Sequence, residues 1–315
     1  MKDLSYLPEG RRIGKLENDQ YFASAKTLEN AMREGRILEG IARRCSGERL
    51  DLAVDLGGIT GIIPKEEAAL EGDGSAAPRD IAVITRVGRP VCFTVTGIVS
   101  EGGAPVAYLS RKAAQMRCRE EYVSTLRPGD IADVTVTHLD PFGAFVDIGC
   151  GIVSLLSIDC ISVSRISHPS KRLKKGQQLY AVVKSVDHES GRIYMSLREL
   201  LGTWEENAAA LTVGSTVAGI ARSIEDYGIF VELAPNLAGL AERRDGVEVG
   251  DACAVYIKNI IKERMKIKLS IIDSYAPPED APPLEYFVDV PGVTHIDRWR
   301  YSPLVCPKII ETVFE

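Results

Sequence analysis

One short phrase occurs three times along the chain, and this repetition limits the folds that the sequence can adopt. Residues 141–149 read Pro-Phe-Gly-Ala-Phe-Val-Asp-Ile-Gly, and residues 226–233 read Asp-Tyr-Gly-Ile-Phe-Val-Glu-Leu. An eroded copy at residues 50–57 keeps the ending Val-Asp-Leu-Gly. Repetition of this kind predicts a row of three similar small domains rather than one large domain.

The spacing of landmark glycines separates the fixed parts of each repeat from a variable part. Gly129 and Gly214 precede the phrase by the same interval, and the final hairpins that begin at Gly176 and Gly250 have the same length. The middle segment differs in length among the three copies. Fixed hairpins, one variable connection and about five short strands in each repeat predict a mainly β protein of three tandem OB-fold barrels joined by short helical linkers.

The same comparison predicts the domain boundaries. They are a helical lead-in at 1–34, a degenerate repeat 1 at 35–112, a helical linker at 113–125, repeat 2 at 126–199, a helical linker at 200–210, a short repeat 3 at 211–273, and a Pro-rich connection with a hairpin-like tail at 274–315. In the lead-in, Ser24 to Glu34 reads as a helix that ends at Gly35. The tail is expected to pack on repeat 3.

Aromatic residues in the phrase are candidates for a nucleic-acid platform. Ala144, Val146 and Ile148 alternate with Phe145 and Asp147, and the first three are expected to face the core of a barrel. Gly143 separates Phe142 from Phe145, and a glycine bend within the strand would bring both rings to one exposed patch. Nucleic-acid bases can stack on such a patch. Packing of both rings in the core is the alternative interpretation.

The charge of the chain restricts a nucleic-acid contact to a local surface, because the formal net charge is −6. A basic run in the middle segment of repeat 2 contains no acidic residue, and its cations are Arg165, Lys171, Arg172, Lys174 and Lys175. A solvated loop and a phosphate-binding segment both fit this run. In repeat 3, Glu232 and Glu242 are expected to repel phosphates near Tyr227 and Phe230.

The sequence carries no enzyme signature, since it lacks a phosphate-cradling Gly-x-x-x-x-Gly-Lys, a Gly-x-Ser-x-Gly and any cluster with metal-ligand spacing. Its seven cysteines include no Cys-x-x-Cys pair, which favours reduced thiols. His138 is isolated in sequence and receives no role. Residues 1–10 lack the apolar run of a signal peptide, and no stretch resembles a membrane span. We therefore expect a non-catalytic cytoplasmic protein with no cofactor and no metal.

The second repeat carries the resemblance to a known family. Its phrase Asp-Pro-Phe-Gly-Ala-Phe-Val-Asp-Ile-Gly is followed by His-Pro-Ser, by Leu-Lys-Lys-Gly and by Gly-Arg-Ile-Tyr-Met-Ser-Leu. This pattern resembles the S1 RNA-binding domain. The resemblance extends over about residues 35–272 and is strongest in repeat 2 and weakest in repeat 1. The chain as a whole is similar to a short member of the bacterial ribosomal protein S1 family.

The resemblance implies specific roles, because two aromatics, a histidine, and an aspartate with a basic residue line the RNA face in this family. The positions that match are Phe142, Phe145, Asp187 and Arg192 in repeat 2, and Tyr227, Phe230 and Lys266 in repeat 3. Ser157 and Glu242 stand at the histidine positions, and Ile261 stands at the second aspartate position. Leu50 and Ala53 replace the aromatics of repeat 1, as in first repeats of the family that serve protein contacts.

Three functions from different classes are therefore open. The first is a non-catalytic binder of single-stranded RNA, of mRNA in particular, that acts in translation and contacts the small ribosomal subunit through repeat 1. The second is a protein-interaction scaffold that docks the ribosome or an RNA-processing enzyme. The third, an RNA-processing enzyme, lacks candidate catalytic residues. OB-folds also bind single-stranded DNA, and the sequence does not distinguish the two nucleic acids.

Overall fold

The chain contains three closed barrels of five strands each. This computed structural model describes residues 6–72, 75–187, 191–276, 283–290 and 292–314. Barrel 1 consists of β1 (Leu38–Cys45), β2 (Leu52–Asp55), β3 (Thr60–Ile63), β4 (Pro90–Glu101) and β5 (Ala104–Ser110). Barrel 2 consists of β6 (Ile131–Asp140), β7 (Gly143–Gly149), β8 (Ile152–Ser157), β9 (Gln178–Asp187) and β10 (Arg192–Ser196). Barrel 3 consists of β11 (Thr216–Glu225), β12 (Gly228–Ala234), β13 (Leu237–Ala241), β14 (Ala252–Ile261) and β15 (Lys266–Tyr275).

All three barrels share one topology. The first three strands form a meander, the fifth strand pairs with the third in parallel, and the fourth lies between the fifth and the first. The remaining pairs in the barrels are antiparallel where their register is defined. This order confirms the predicted mainly β fold of three OB-type barrels.

Alternating apolar side chains fill the barrels. In β7, Ala144 and Val146 are fully buried and Ile148 is 1% exposed. This confirms the core positions that the period of two predicts. Asp147 is also buried, at 2% exposure, although the alternation places it on the outer face.

Short helices precede and join the barrels: α1 (Leu16–Asp19), α2 (Ala25–Arg33), α3 (Asp80–Ile84), α4 (Arg111–Glu121) and α5 (Trp204–Ala208). Ser24 caps α2, because its side chain accepts a hydrogen bond from the Thr27 amide. Gly35 follows the helix with a φ of 60°. The connection between barrels 2 and 3 is a single turn of 3-10 helix (Arg198–Leu200) followed by α5, and Gly202 with a φ of 81° separates them.

The chain divides into two units. The first contains Met1–Leu126, Asp133–Thr135 and Asp147–Val153, and the second contains Arg127–Ala132, Val136–Val146 and Ser154–Glu315. In the first unit, the Glu9 carboxylate lies 2.6 Å from Nε of buried Arg111 and accepts a hydrogen bond from the Cys92 amide. The Glu9 amide donates to the Asp147 carboxylate at 2.7 Å. These contacts explain why Asp147 is buried: it accepts hydrogen bonds from the N-terminal segment.

The C-terminal tail forms β16 (Arg298–Arg300) and β17 (Glu311–Val313), which pair antiparallel. Trp299 and Tyr301 pack into the core of barrel 3. Val290 packs against Ile131 and Val182 of barrel 2, so that the tail contacts both barrels and not only the third. The predicted Pro-rich connection at residues 277–282 lies outside the described residues.

Among the helices in the described ranges, none has the length and apolar content needed to cross a membrane.

Candidate nucleic-acid interface

Two aromatic rings adjoin on the surface of barrel 2. Phe142, in the turn before β7, is 55% exposed, whereas Phe145 on β7 is half-buried. Their ring centroids are 5.8 Å apart and their planes meet at 88°, which is an edge-to-face contact. The pair is anchored on one side by the barrel and open to solvent on the other. A flat base can stack on such a surface.

Gly143 allows this arrangement through a close approach of two backbones. A Cβ atom at Gly143 would lie 2.6 Å from the carbonyl oxygen of Leu156 and 2.9 Å from Cα of Ser157. The Ile158 amide donates to the Phe142 carbonyl at 2.9 Å, which fixes the turn that carries the exposed ring. The expected bend within the strand was wrong, because β7 begins at Gly143 and Phe142 belongs to the preceding turn.

His138 adds a third ring that sequence reasoning missed. Its centroid lies 6.2 Å from that of Phe145, with 24° between the planes, and its side chain is 62% exposed. Its Nε2 is 3.3 Å from Oδ2 of Asp140. The Thr137 hydroxyl donates to the Phe145 carbonyl at 3.1 Å, which holds the hairpin in register. The interpretation of His138 as isolated was wrong, and counting residues back across the hairpin turn would have identified it. We call Phe142, Phe145 and His138 the barrel 2 platform.

The last hairpin of barrel 2 brings together the predicted pair Asp187 and Arg192, which are cross-strand partners on β9 and β10. Arg192 is exposed and Asp187 is half-buried. Strand β8 lies between β10 and the platform strand β7, and Ser157 at its end adjoins Gly143. A small hydroxyl thus occupies the position where the family resemblance expects histidine.

The basic crossover of barrel 2 contains two different kinds of cation. Lys171, Lys174, Lys175 and Arg165 are exposed. Arg172 is only 2% exposed, and its guanidinium donates to both carboxylate oxygens of Glu232 at 2.7 and 2.8 Å. The predicted phosphate contact of Arg172 was therefore wrong, because a buried guanidinium that is engaged by a carboxylate cannot reach solvent.

The expectation that Glu232 in barrel 3 repels phosphates from the protein surface was also wrong. It is 4% exposed, and Arg222 pairs with it at 3.0 Å in addition to Arg172. Burial disfavours its ionised form, but the hydrogen bonds from Arg172 and Arg222 outweigh burial and hold the pKa of Glu232 below its ordinary value. Its charge is paired with two guanidinium groups inside the protein, so Glu232 is not an exposed negative charge beside Tyr227 and Phe230.

Barrel 3 has a similar edge-to-face aromatic pair, but different residues surround it. Tyr227 is 68% exposed, and its ring centroid lies 6.1 Å from that of Phe230 at an angle of 89°. Both rings line a groove of about 470 Å³, and its charged lining residues are Lys258, Lys266, Lys268 and Glu242. The Glu242 carboxylate lies 2.9 Å from Lys258 Nζ, so that it offsets part of this positive charge. Ser223 stands opposite Phe230, where barrel 2 has His138.

Barrel 1 has no ring at the corresponding positions. Leu50 and Ala53 are half-buried there, and Leu50 has a φ of 57°. Arg43 and Asp55 form an exposed ion pair at 3.2 Å on the adjoining strands.

Within the described ranges, His, Cys, Asp and Glu side chains form no group of three that could hold a metal ion.

Comparison with known families bears on barrel 2 directly. Residues 125–198 match the family model described as the S1 RNA binding domain. Barrel 2 is similar to an S1 RNA binding domain. The matched segment contains the barrel 2 platform, the last hairpin and the basic crossover, so the S1 domain accounts for all of barrel 2.

Proteins similar to this chain include small ribosomal subunit proteins bS1. That of Leuconostoc lactis is 34% identical over 52% of this chain and 39% of its own length. That of Rhizobium meliloti is 31% identical over 70% of this chain and 42% of its own length. The chain thus spans about two fifths of the length of these relatives. A multidomain protein with nucleic acid binding domains from Streptococcus pneumoniae aligns over 76% of this chain and 74% of its own, with 18% identity and a TM-score of 0.24.

Proposed function

We propose that this protein binds single-stranded RNA without catalysing a reaction, and that mRNA bound in translation is its ligand. The observation that carries the proposal is the barrel 2 platform. Its three rings lie together on one surface, and Phe142 offers an exposed face. Base stacking on aromatic side chains contributes about 1–3 kcal/mol per base and tolerates any sequence.

Exposed cations of barrel 2 supply the second part of the binding. Arg192 on the last hairpin and Lys171, Lys174 and Lys175 on the crossover are exposed. Phosphate contacts by such side chains release counterions, so the affinity is expected to fall with salt. Asp187 is the cross-strand partner of Arg192, and its carboxylate orients a base or a ribose by accepting a hydrogen bond. The groove of barrel 3, with Tyr227, Phe230 and Lys266, provides a second and weaker site.

The test is a fluorescence anisotropy titration of a labelled single-stranded RNA at two salt concentrations. Phe142→Ala/Phe145→Ala is expected to lose at least about tenfold in affinity, since two stacking faces are removed. Tyr275→Ala is the matched control, because Tyr275 is 57% exposed at the end of β15 and belongs neither to the barrel 2 platform nor to the aromatic pair of barrel 3. An unchanged affinity in the double variant would contradict the proposal.

A second candidate function concerns barrel 1. The loss of both rings there, together with exposed Ile81 and Ile84 on α3, favours a protein contact over an RNA contact at this barrel. The names of the relatives suggest the small ribosomal subunit as the partner. Sedimentation of the chain with purified small subunits, compared with the variant Ile81→Asp/Ile84→Asp, tests this. Equal co-sedimentation of both proteins would contradict a docking role for α3.

A further inference from the structure

The crossover of barrel 2 is bound to barrel 3 by a buried charge cluster. Arg172 follows the 3-10 turn Pro169–Lys171 and inserts its guanidinium between Ser162 and Glu232. The side chains of Arg172 and Glu232 are 0% and 3% exposed. Such a fully desolvated bidentate pair fixes both position and angle, because planar guanidinium and carboxylate groups must face each other.

A buried asparagine adds a second tie between the same barrels. Asn236, at the turn between β12 and β13, has no exposed surface. Its Oδ1 accepts from the Val163 amide at 2.9 Å, and its Nδ2 donates to the carbonyls of Arg198 and Gly202 at 2.7 and 2.8 Å. The amide group of Asn236 therefore links barrel 3 to the crossover and to the connecting segment at once.

The C-terminal tail is the third tie. The Ile131 amide donates to the Thr294 carbonyl at 2.8 Å, and the Tyr180 amide donates to the Tyr286 hydroxyl at 3.0 Å, so this part of the tail is held by barrel 2. Further along, the Tyr301 hydroxyl donates to the Asn236 carbonyl at 2.6 Å in barrel 3. One continuous segment thus crosses from one barrel to the other.

We propose that barrels 2 and 3 bind one RNA strand as a single body, and that Arg172 is the positioning residue that holds the two aromatic pairs in a fixed relation. The proposal rests on the proposed function, since it assumes that both pairs stack bases. A fixed distance and orientation between two sites increases their combined affinity. Once the first site has bound the strand, the second site binds it with a high effective concentration and a smaller entropic cost.

The charge of the junction supports a continuous strand. The exposed cations Lys171, Lys174 and Lys175 lie within three residues of Arg172, on the segment that touches barrel 3. In barrel 3, Lys258, Lys266 and Lys268 line the groove beside Tyr227 and Phe230. Positive charge therefore lies both on the crossover of barrel 2 and in the groove of barrel 3, and both can contact the phosphates of one strand.

The experiment uses the full chain and labelled oligouridines of increasing length. Arg172→Met/Asn236→Ala removes two ties between the barrels, while Arg222 still neutralises Glu232. Arg222→Met/Asn207→Ala is the matched control. It also removes one guanidinium from Glu232 and one buried asparagine, but the Asn207 side chain donates to carbonyls of the connecting segment itself, Leu201 and Thr203.

Wild type is expected to gain affinity in a step once the oligouridine is long enough to contact both aromatic pairs. The Arg172→Met/Asn236→Ala variant is expected to lose roughly tenfold for long oligouridines and nothing for short ones. The control is expected to match wild type at every length. Arg172→Lys keeps the charge but not the bidentate geometry, so a smaller loss confined to long oligouridines is expected.

Small-angle X-ray scattering of the same proteins without RNA supplies a second readout. Arg172→Met/Asn236→Ala, called the untied variant, is expected to have a larger radius of gyration than wild type, whereas the control variant is not. Wild type that binds no oligouridine would contradict the proposed function itself. Wild type that binds without a step in length, or an untied variant that binds long oligouridines like wild type, would overturn the positioning role alone.

Discussion

The Glu232 carboxylate of barrel 3 accepts hydrogen bonds from two guanidinium groups. The first, that of Arg172 in barrel 2, donates to its two oxygens at 2.7 and 2.8 Å. The second guanidinium, that of Arg222, donates to the same two oxygens at 3.0 Å from within barrel 3. The three charges do not contribute equally, because removing the shared carboxylate leaves both guanidinium groups without a counter-charge.

This asymmetry predicts that Glu232→Gln destabilises the protein more than Arg172→Met does. The first change leaves Arg172 buried and unpaired, at an expected cost of about 3–5 kcal/mol. The second leaves Glu232 paired with Arg222, at an expected cost of about 1–3 kcal/mol. Urea unfolding followed by tryptophan fluorescence measures both, because Trp204 and Trp299, the two tryptophans of the chain, lie in the core of barrel 3. Equal losses would contradict the shared-carboxylate interpretation.

Gly143→Ala is expected to destabilise barrel 2 by about 1–3 kcal/mol, because the added methyl group would meet the backbone of β8. The displaced turn would also carry Phe142 away from Phe145 and weaken RNA binding. Gly97→Ala is the matched control, since Gly97 lies in β4 with nothing within 4 Å of an added Cβ. Thermal unfolding of both variants checks this, and a Gly143→Ala protein as stable as the control would count against the close approach.

His138→Ala is expected to weaken RNA binding by roughly threefold to tenfold, because one stacking face of about 1 kcal/mol is lost. The fold should be unaffected, since the side chain is largely exposed. Ser223→His, at the equivalent position of barrel 3, is the reciprocal change and is expected to strengthen binding there. Anisotropy titrations in which neither variant differs from wild type would remove His138 from the platform.

Glu39 predicts a pH dependence of stability. It is buried in β1, and burial raises the pKa of Glu39 to about 7, although the amides of Gly10 and Arg12 donate to its Oε2. The folded protein therefore holds this proton more tightly than the unfolded chain does. The resulting stability is fully present below the ordinary pKa of about 4.5 and is lost as pH rises through about 7.

Glu39→Gln keeps the acceptor oxygen and removes the titration. Between about pH 5 and 8, wild type is expected to lose about 1–3 kcal/mol more stability than this variant. Part of the slope should persist, because burial also raises the pKa of Asp147 to about 7. Thermal unfolding at several pH values measures the difference. If the stability of the two proteins changed with pH in the same way, the protonation of Glu39 would be contradicted.

The repeated phrase and its spacing predicted the three barrels, and local periodicity predicted the core positions of β7 and the aromatic pair. The alternation at residues 144–148 determines which side chains face the core, and the turn before β7 places Phe142 beside Phe145. The core positions and the aromatic pair depend on neighbours along the chain, so a short stretch of sequence contains the information that they require.

Features that depend on distant partners could not be predicted in this way. Arg172 belongs to a basic run, and only a carboxylate 60 positions later shows that it is buried. Asp147 lies on the outer face of a strand, yet it is buried because its partner is Glu9 near the N-terminus. The tail contacts two barrels through residues, among them Val290 and Trp299, whose partners no local pattern indicates.

The most direct test of the account is to locate bound RNA on the protein by ultraviolet cross-linking of a photoreactive oligouridine, followed by mass spectrometry of the linked peptides. The account predicts cross-links to the barrel 2 platform, at Phe142, Phe145 and His138, with weaker ones at Tyr227 and Phe230. Cross-links confined to barrel 1, with none at either aromatic pair, would contradict it.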